Sequence, residues 1–300
     1  MKETYKTITV GIPAHNEEHN ITNLLRSILL QKEISIKISK IIVNCDGCTD
    51  NTAEFVRAFT KKYKKIVLLN DKKRKGKAAR VNELFRLNKS DILVCVDADV
   101  VLSKSCLAEL IKPLDDKNVS LVGGCDIPQN GNSFAEKVSV SWITHWQSLV
   151  RPLHNFDNPT NCPGRIYALR KDFSKSFLIP VDIVADDHYV YFMAKRMRLK
   201  FKYAAKAIVF FKPPLTVIDF INQSLRFSKS GVDIKKHFGS IATQGFSEID
   251  TVSKIVIYLQ SFVASPVYFS VAVILQVYIH FLHNFPNKTY SKGMWESIAK

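Results

Sequence analysis

The sequence predicts an α/β fold: a mainly parallel central sheet flanked by helices, followed by a C-terminal apolar helical segment suited to a membrane. Three observations carry this. Short apolar runs alternate with segments of helical periodicity through roughly the first hundred residues, the pattern of right-handed strand–helix–strand units. Acidic residues stand at the ends of those runs: Asp46 and Asp50 after Ile41-Ile42-Val43, Asp97 and Asp99 after Ile92–Val96, and Asp186-Asp187 after Val181–Val184. Finally, Ile255 to Phe281 contains no Asp, Glu, Lys or Arg over 27 residues.

Thr7 to Ile12 reads as the first strand and ends in Pro13-Ala14-His15-Asn16-Glu17-Glu18. Ile21, Leu24, Leu25, Ile28 and Leu29 then recur at helical spacing. Ile41 to Asn44 is a second strand, and Asp50 or Asn51 caps a helix carrying Ala53, Val56 and Phe59. Ile66 to Leu69 and Lys77 to Leu87 form the third strand and helix. Ile92 to Val96 is continuously apolar, as in a strand covered on both faces. Beyond Leu121–Gly124 the periodicity weakens. Helices are expected over Ser133–Val150, Asp187–Arg196 and Leu215–Ser230, with Trp142 and Trp146 on one face of the first. These tryptophans read as core at that spacing, with an acceptor- or lipid-facing surface as the other reading. The expected organisation is a catalytic domain over 1–231 and a linker with a hydrophobic helical segment over 232–300.

Hydrophobic content of 46% and charged content of 23% are those of a folded globular chain. A formal net charge of +16 calls for an anionic partner: a phosphorylated substrate, an acidic membrane face or nucleic acid. Basic residues cluster at 61–65, 72–77 and 195–198, but no zinc-finger spacing or RNA-binding signature accompanies them, so no nucleic-acid partner is expected. Six cysteines include the pair Cys45 and Cys48; no second close pair completes a zinc site. No signal peptide is read before the first strand, so the catalytic portion is expected in the cytoplasm. Pro266 interrupts the apolar tail and would kink a spanning helix or split it into a re-entrant or interfacial pair. Tyr258, Tyr268 and Tyr278, with Lys229, Lys235, Lys236 and Lys254 nearby, suit an interfacial belt over anionic lipid. The expected location is the cytoplasmic face of a membrane.

Residues just past the carboxyl ends of strands in an open α/β sheet line one crevice. Carboxylates gathered there repel one another unless a cation intervenes, which points to a divalent metal and a phosphate-bearing ligand. Asp97 and Asp99 end a buried strand with hard oxygen donors of the kind that suit Mg²⁺ or Mn²⁺. Asp46 precedes Gly47, whose missing Cβ permits close approach, so its carboxylate can accept from a base edge or ribose hydroxyls. Lys77, following Gly76, either supplies charge to a diphosphate or ribose or faces solvent at a helix start. Asp186-Asp187 either act chemically or complement a helix N-terminus.

The ordered motifs PAHNEE, CDGCTDNT, GKAARVN, DAD, ADD and QSLRF resemble the family 2 glycosyltransferases of the GT-A fold, from about Thr7 to Gly231. The resemblance implies an inverting, metal-dependent transfer of sugar from a nucleotide sugar, most simply UDP-linked, to a hydroxyl on a glycan or lipid. It places Pro13, Ala14, His15 and Glu17 around the nucleoside and Asp46 against the base. It assigns Asp99 to the metal, Asp97 to nucleotide or metal, and Lys77 to the donor. Asp187 stands where the family has its general base, with Asp186 in place of the commoner Glu. Gln223 and Arg226 match a QxxRW motif in which Phe227 replaces Trp, for diphosphate or acceptor binding, and Gly164-Arg165 falls where the family lines its acceptor site. Cys48 stands for the family's Ser in an Asp-Gly-Ser-Thr-Asp loop, which accounts for the cysteine pair.

Two other readings compete. Asp97–Val101 also fits the DxDx[TV] loop of haloacid-dehalogenase-type phosphatases, with Asp97 as nucleophile, although that fold opens with its DxD strand. A non-catalytic nucleotide-sugar-binding protein would keep the same crevice without turnover.

Overall fold

The apolar run from Ile8 to Ala14 is fully buried, and the chain builds outward from it. The computed structural model describes residues 6–32, 36–245 and 249–284, with the side chains at 229, 244, 245, 283 and 284 left aside. β1 (Lys6–Ala14) leads through α1 (Ile21–Leu29) to β2 (Ile36–Asp46), then α2 (Thr52–Lys62), β3 (Ile66–Asp71), α3 (Lys77–Leu87) and β4 (Ile92–Val96). These four strands are parallel and lie in the order β3-β2-β1-β4. The order reverses at β1, which flanks both β2 and β4, so a crevice opens at the carboxyl ends of this pair.

The rest of the sheet departs from the expected mainly parallel arrangement; the eight-stranded sheet is mixed. After β5 (Val100–Leu102) and α4 (Cys106–Ile111) come β6 (Val119–Pro128), α5 (Phe134–Val150) and β7 (Ile166–Arg170). β7 inserts between β4 and β6 and runs antiparallel to both. Short α6 (Lys171–Lys175) and α7 (Asp186–Arg196) precede β8 (Lys200–Phe211), which is parallel to β6 and antiparallel to β5. The β4–β7 register pairs Val96 with Ile166, and Asp97 N donates to Arg165 O at 3.2 Å. That pairing sets Gly164 and Arg165 beside the Asp97–Asp99 turn. Apolar layers cover both faces of the sheet: α1, α2 and α4 on one, α3, α6 and α7 on the other.

α8 (Val217–Phe238) begins with Thr216 capping Asp219 N and runs past residue 231, so the expected domain boundary falls inside a helix. α9 (Ser240–Gly245) follows. The apolar tail divides at Ser265 and Pro266 into α10 (Thr251–Ala264) and α11 (Pro266–Asn284), as the proline demands. Among the described residues no helix is long and apolar enough to cross a membrane, so the spanning form of the expected tail is not seen. Both helices pack on α5, and α11 also packs on α8. Phe220, Leu225 and Ile279 form a small separate core there, with Trp142 against it, whereas Trp146 is exposed. Residues 285–300, including Trp295, lie outside the described residues.

Candidate active site

Asp46 ends β2 with its carboxylate fully buried and fully engaged. Backbone N–H groups of Lys75 and Gly76 donate to it at 2.7 and 2.9 Å, and Arg80 Nε donates at 2.8 Å. Arg80, only 1% exposed, reaches on to Asp71 and Glu83 and donates to Lys73 O. Asp46 thus clamps the 72–76 loop from below rather than presenting free oxygens to the crevice. Gly47 has φ of 63°, and a Cβ there would meet Arg74 N at 2.9 Å, so the loop closes over a residue that must lack a side chain. Buried Nε and Nη2 of Arg74, in the same loop, have no hydrogen-bond partner among the described residues.

Pro13 and Ala14 are the last pairs of β1 with β2, opposite Asn44 and Cys45. His15 Nδ1–H donates to Asp46 O at 2.8 Å. Glu17 is buried, accepts from Asn20 Nδ2 at 3.1 Å, and receives Asn20 and Ile21 N–H on its carbonyl at the start of α1. Asn16, in the left-handed region at φ 53°, accepts from Thr49 N at 2.9 Å and so ties the loop after β1 to the loop after β2. Cys45 and Cys48 are free thiols; the hydrogen bond from Cys45 pulls Cys48 down to about 7, and among the described residues no third metal ligand joins them.

The run Val181–Val184 before Asp186 forms no strand, and Val181 is exposed; the acidic end of β4 and the acidic start of α7 meet on Lys77. Its Nζ, on the first residue of α3, lies 2.8 Å from Asp97 Oδ1 and 3.2 Å from Asp186 Oδ1. Burial alone would lower the lysine pKa, but Asp186, Asp97 and Asp187 outweigh it and raise it, so Lys77 stays charged. Burial pushes Asp186 up to about 7 against the pull of Lys77, with Asp187 and Asp97 adding to the rise. Burial raises Asp97 as well, with Lys77 opposing and Asp99 reinforcing.

Asp187 differs from its neighbour. Gly164 N donates to Oδ2 at 2.7 Å and His188 N to Oδ1 at 2.8 Å. Burial would raise this carboxyl, but His188, Lys77 and the two N–H donors outweigh it and hold it below the usual carboxylate range. Each oxygen keeps a lone pair, and Asp187 is half-buried where Asp186 is fully enclosed. Gly164 is positioned by the β7 register, and a Cβ on it would lie 3.0 Å from Lys77 Nζ and 3.1 Å from Asp187 Oδ2.

Two arginines close the other side. Arg226, on α8, is half-buried within electrostatic reach of Asp97, Asp187, Asp99 and Arg165; burial and Arg165 lower its pKa. Arg165 donates to Asp126 at 3.0 Å and stacks 3.5 Å above the Phe211 ring, while Arg151, just past α5, holds the same Asp126 at 2.9 Å. Gln223 is buried one turn before Arg226, and Phe227 is 54% exposed. Sequence reading assigns no site role to Arg74 or Arg80, although Arg74 lies in the basic run 72–77 and Arg80 inside the GKAARVN motif; Arg165 is expected beside Gly164 at the acceptor site. Asp97 and exposed Asp99 offer hard oxygens on one turn. Among the described residues no cluster of three or more metal-ligating side chains exists. Two carboxylates nevertheless fit Mg²⁺ or Mn²⁺, ions that complete their shell with substrate phosphates and water.

The fold and crevice are those of an α/β glycosyltransferase. The chain belongs to glycosyl transferase family 2, whose profile matches residues 9–177. In fold it is similar to the mannosyltransferase PcManGT from Pyrobaculum calidifontis, solved with GDP-Man and Mn²⁺: TM-score 0.62 at 18% identity, covering 93% of this chain and 76% of that one. It is also similar to S. aureus TarS 1-349 in complex with UDP, with TM-score 0.55 at 16% identity over 84% and 69% of the two chains. In sequence it is 23% identical over 247 residues to the poly-β-1,6-N-acetyl-D-glucosamine synthase of Staphylococcus aureus, covering 80% of this chain and 58% of the relative. An uncharacterized protein of Methanocaldococcus jannaschii is 33% identical over 118 residues, covering 38% and 49%. The chain spans about half the length of the curated relatives it matches. Family membership leaves the phosphatase reading without support: β4, which carries Asp97, is the fourth strand of the chain and central in the sheet.

Proposed function

We propose that this chain transfers a sugar from a nucleotide-sugar donor, UDP-linked in the simplest case, to a hydroxyl of a glycan or lipid acceptor, with inversion at the anomeric carbon. The observation that carries the reading is the meeting of Asp97, Asp186 and Asp187 on one half-buried lysine, beside Gly164 and facing Arg226. The nucleoside would lie over the loops after β1 and β2, on the surface that Asp46 and His15 fix from beneath. Arg226 and Arg74 would hold diphosphate and nucleoside by charge-assisted hydrogen bonds. Asp187, ionised at neutral pH and oriented by two N–H donors, would take the proton of the acceptor hydroxyl as that oxygen attacks. Asp186, enclosed with Lys77, would set the charge around Asp187 without touching substrate. Asp99 and Asp97 would hold Mn²⁺ or Mg²⁺, which when bound supplies Lewis-acid neutralisation of the diphosphate.

Membrane attachment on the cytoplasmic face belongs to the same proposal. α10 has no buried residue, and Val252, Ile255, Leu259 and Val263 form an exposed apolar stripe on it. Such a surface suits an interfacial helix lying in the headgroup region.

The test is thermal unfolding with UDP and GDP, each with and without Mn²⁺. Ligand at about a hundred times its Kd adds about 2.7 kcal/mol of stability. Nucleotide stabilisation that needs Mn²⁺ and is lost in Asp99→Ala supports the reading and chooses the donor base. Absence of any nucleotide effect overturns it.

A further inference from the structure

α10 is inside out for a helix bathed in water. Its exposed stripe is Val252, Ile255, Leu259 and Val263, whereas Ser261, on the opposite face, hydrogen-bonds His145 of α5, and Gln260 on the flank lines the space between the two helices. α5 answers with a polar stripe at helical spacing, Lys137, Ser141, Thr144 and Ser148. Between the two helices and the start of α11 lies a groove of about 450 Å³ lined by these hydroxyls, two amides and one lysine, and by the apolar Val140, Ile257 and Ala264, with no carboxylate. His145 at its floor is engaged, Nδ1–H donating to Ser261 Oγ at 2.8 Å, and its ring packs on Phe269. Lys137 Nζ sits 5.7 Å from the Tyr268 ring centroid at one end of the groove. A singly cationic slot with hydroxyls and apolar side chains in its lining, beside a helix whose outer face is exposed and apolar, matches an amphiphile: an anionic, hydroxyl-rich head within and chains running along the outer face of α10. This groove is separate from the crevice: none of Lys77, Asp97, Asp99, Asp186, Asp187 and Arg226 lines it.

We infer that the α5–α10 groove binds the phosphate-bearing head of an anionic membrane lipid, with Lys137 pairing the phosphate and Ser141, Thr144 and Gln260 taking the head's hydroxyls. The inference rests on the proposed contact of α10 with a membrane surface and adds a defined lipid site to it.

The full chain is titrated with dihexanoylphosphatidylglycerol below its micellar concentration, followed by the fluorescence of Trp142 and Trp146 on α5. Dihexanoylphosphatidylcholine and glycerol 3-phosphate serve as comparisons. In parallel, sedimentation with phosphatidylcholine vesicles, with and without phosphatidylglycerol, reads membrane contact. Saturable binding of the short-chain phosphatidylglycerol is expected. Lys137→Gln, an exposed position, should weaken it about tenfold through loss of one charge-assisted hydrogen bond, as should Thr144→Leu by filling the groove. Leu259→Glu with Val263→Glu should abolish vesicle sedimentation. If the chain sediments with vesicles but gives no saturable response to the short-chain lipid, the groove inference is wrong and the membrane reading stands. If glycerol 3-phosphate binds as tightly as the lipid, the site takes a free phosphate compound and the lipid assignment falls. Failure to sediment with either vesicle removes the membrane reading as well.

Discussion

Replacing Lys77 by methionine tests the centre of the proposed site, because it removes the one cation enclosed by Asp97, Asp186 and Asp187. At an effective dielectric constant of about 20, unit charges at 2.8 and 3.2 Å attract by about 6 and 5 kcal/mol. Desolvation of the ammonium and the carboxylates offsets much of this, and deleting one partner of a buried pair has a net cost of about 3–5 kcal/mol. For a chain of this length, about 2 °C of Tm per kcal/mol gives a fall of about 6–10 °C. The sign with pH follows from Asp186, whose carboxyl is raised to about 7 in the folded protein. A carboxyl raised above its unfolded value weakens the fold as pH climbs towards that folded value, and losing Lys77 raises it further. The deficit of Lys77→Met should therefore be largest at about pH 8 and shrink as pH falls through about 7 towards 5, as the carboxyls take up protons. Differential scanning calorimetry of both proteins across that range reads it directly. A Tm within about 2 °C of the parent at about pH 8, or a deficit that grows on acidification, would refute the assignment of Lys77 as the shared counter-charge.

Three further outcomes are expected. Asp187→Asn should lower turnover by about 10²–10⁴ while the nucleotide-induced Tm shift survives; near-normal turnover places the base elsewhere. Gly164→Ala puts a methyl 3.0 Å from Lys77 Nζ and 3.1 Å from Asp187 Oδ2, so initial rates should fall by about tenfold to a hundredfold with little change in urea midpoint. Arg80→Met leaves buried Asp46 without its side-chain partner and should cost about 3–5 kcal/mol in urea unfolding, with weaker nucleotide binding as the 72–76 loop loses its clamp.

The half of the fold that local pattern governs was legible. Lys77–Leu87 and Ile92–Val96 fall where periodicity and apolar continuity put them, because short parallel strand–helix units carry their own punctuation. β7 and β8 were not anticipated. Their residues are ordered by partners far along the chain, Ile166 by Val96 and Phe210 by Val101, and no local signal announces an antiparallel insertion. The site shows the same division. Motif order nominated Asp97, Asp186, Asp187, Gly164 and Arg226, and the structure brings them within reach of one another. It could not show that Asp46 is consumed by Arg80 and the loop N–H groups, since that depends on the depth of β2 beneath α3. Nor could it show that Lys77 binds carboxylates, because a lysine at a helix start has the same spacing whether it faces solvent or the crevice.

The packing of α11 bears on how this protein can be dissected. Ile279, with Leu275 beside it, closes over Phe220 and Leu225 of α8, and α8 is the helix from which Arg226 points into the crevice. A chain cut before α10 would therefore strip a hydrophobic seal from the arginine's own helix. Inactivity of such a fragment would report a disturbed crevice, not merely a lost anchor. Point changes on the outer stripe of α10, where nothing packs, are the cleaner way to separate where the protein sits from what it does.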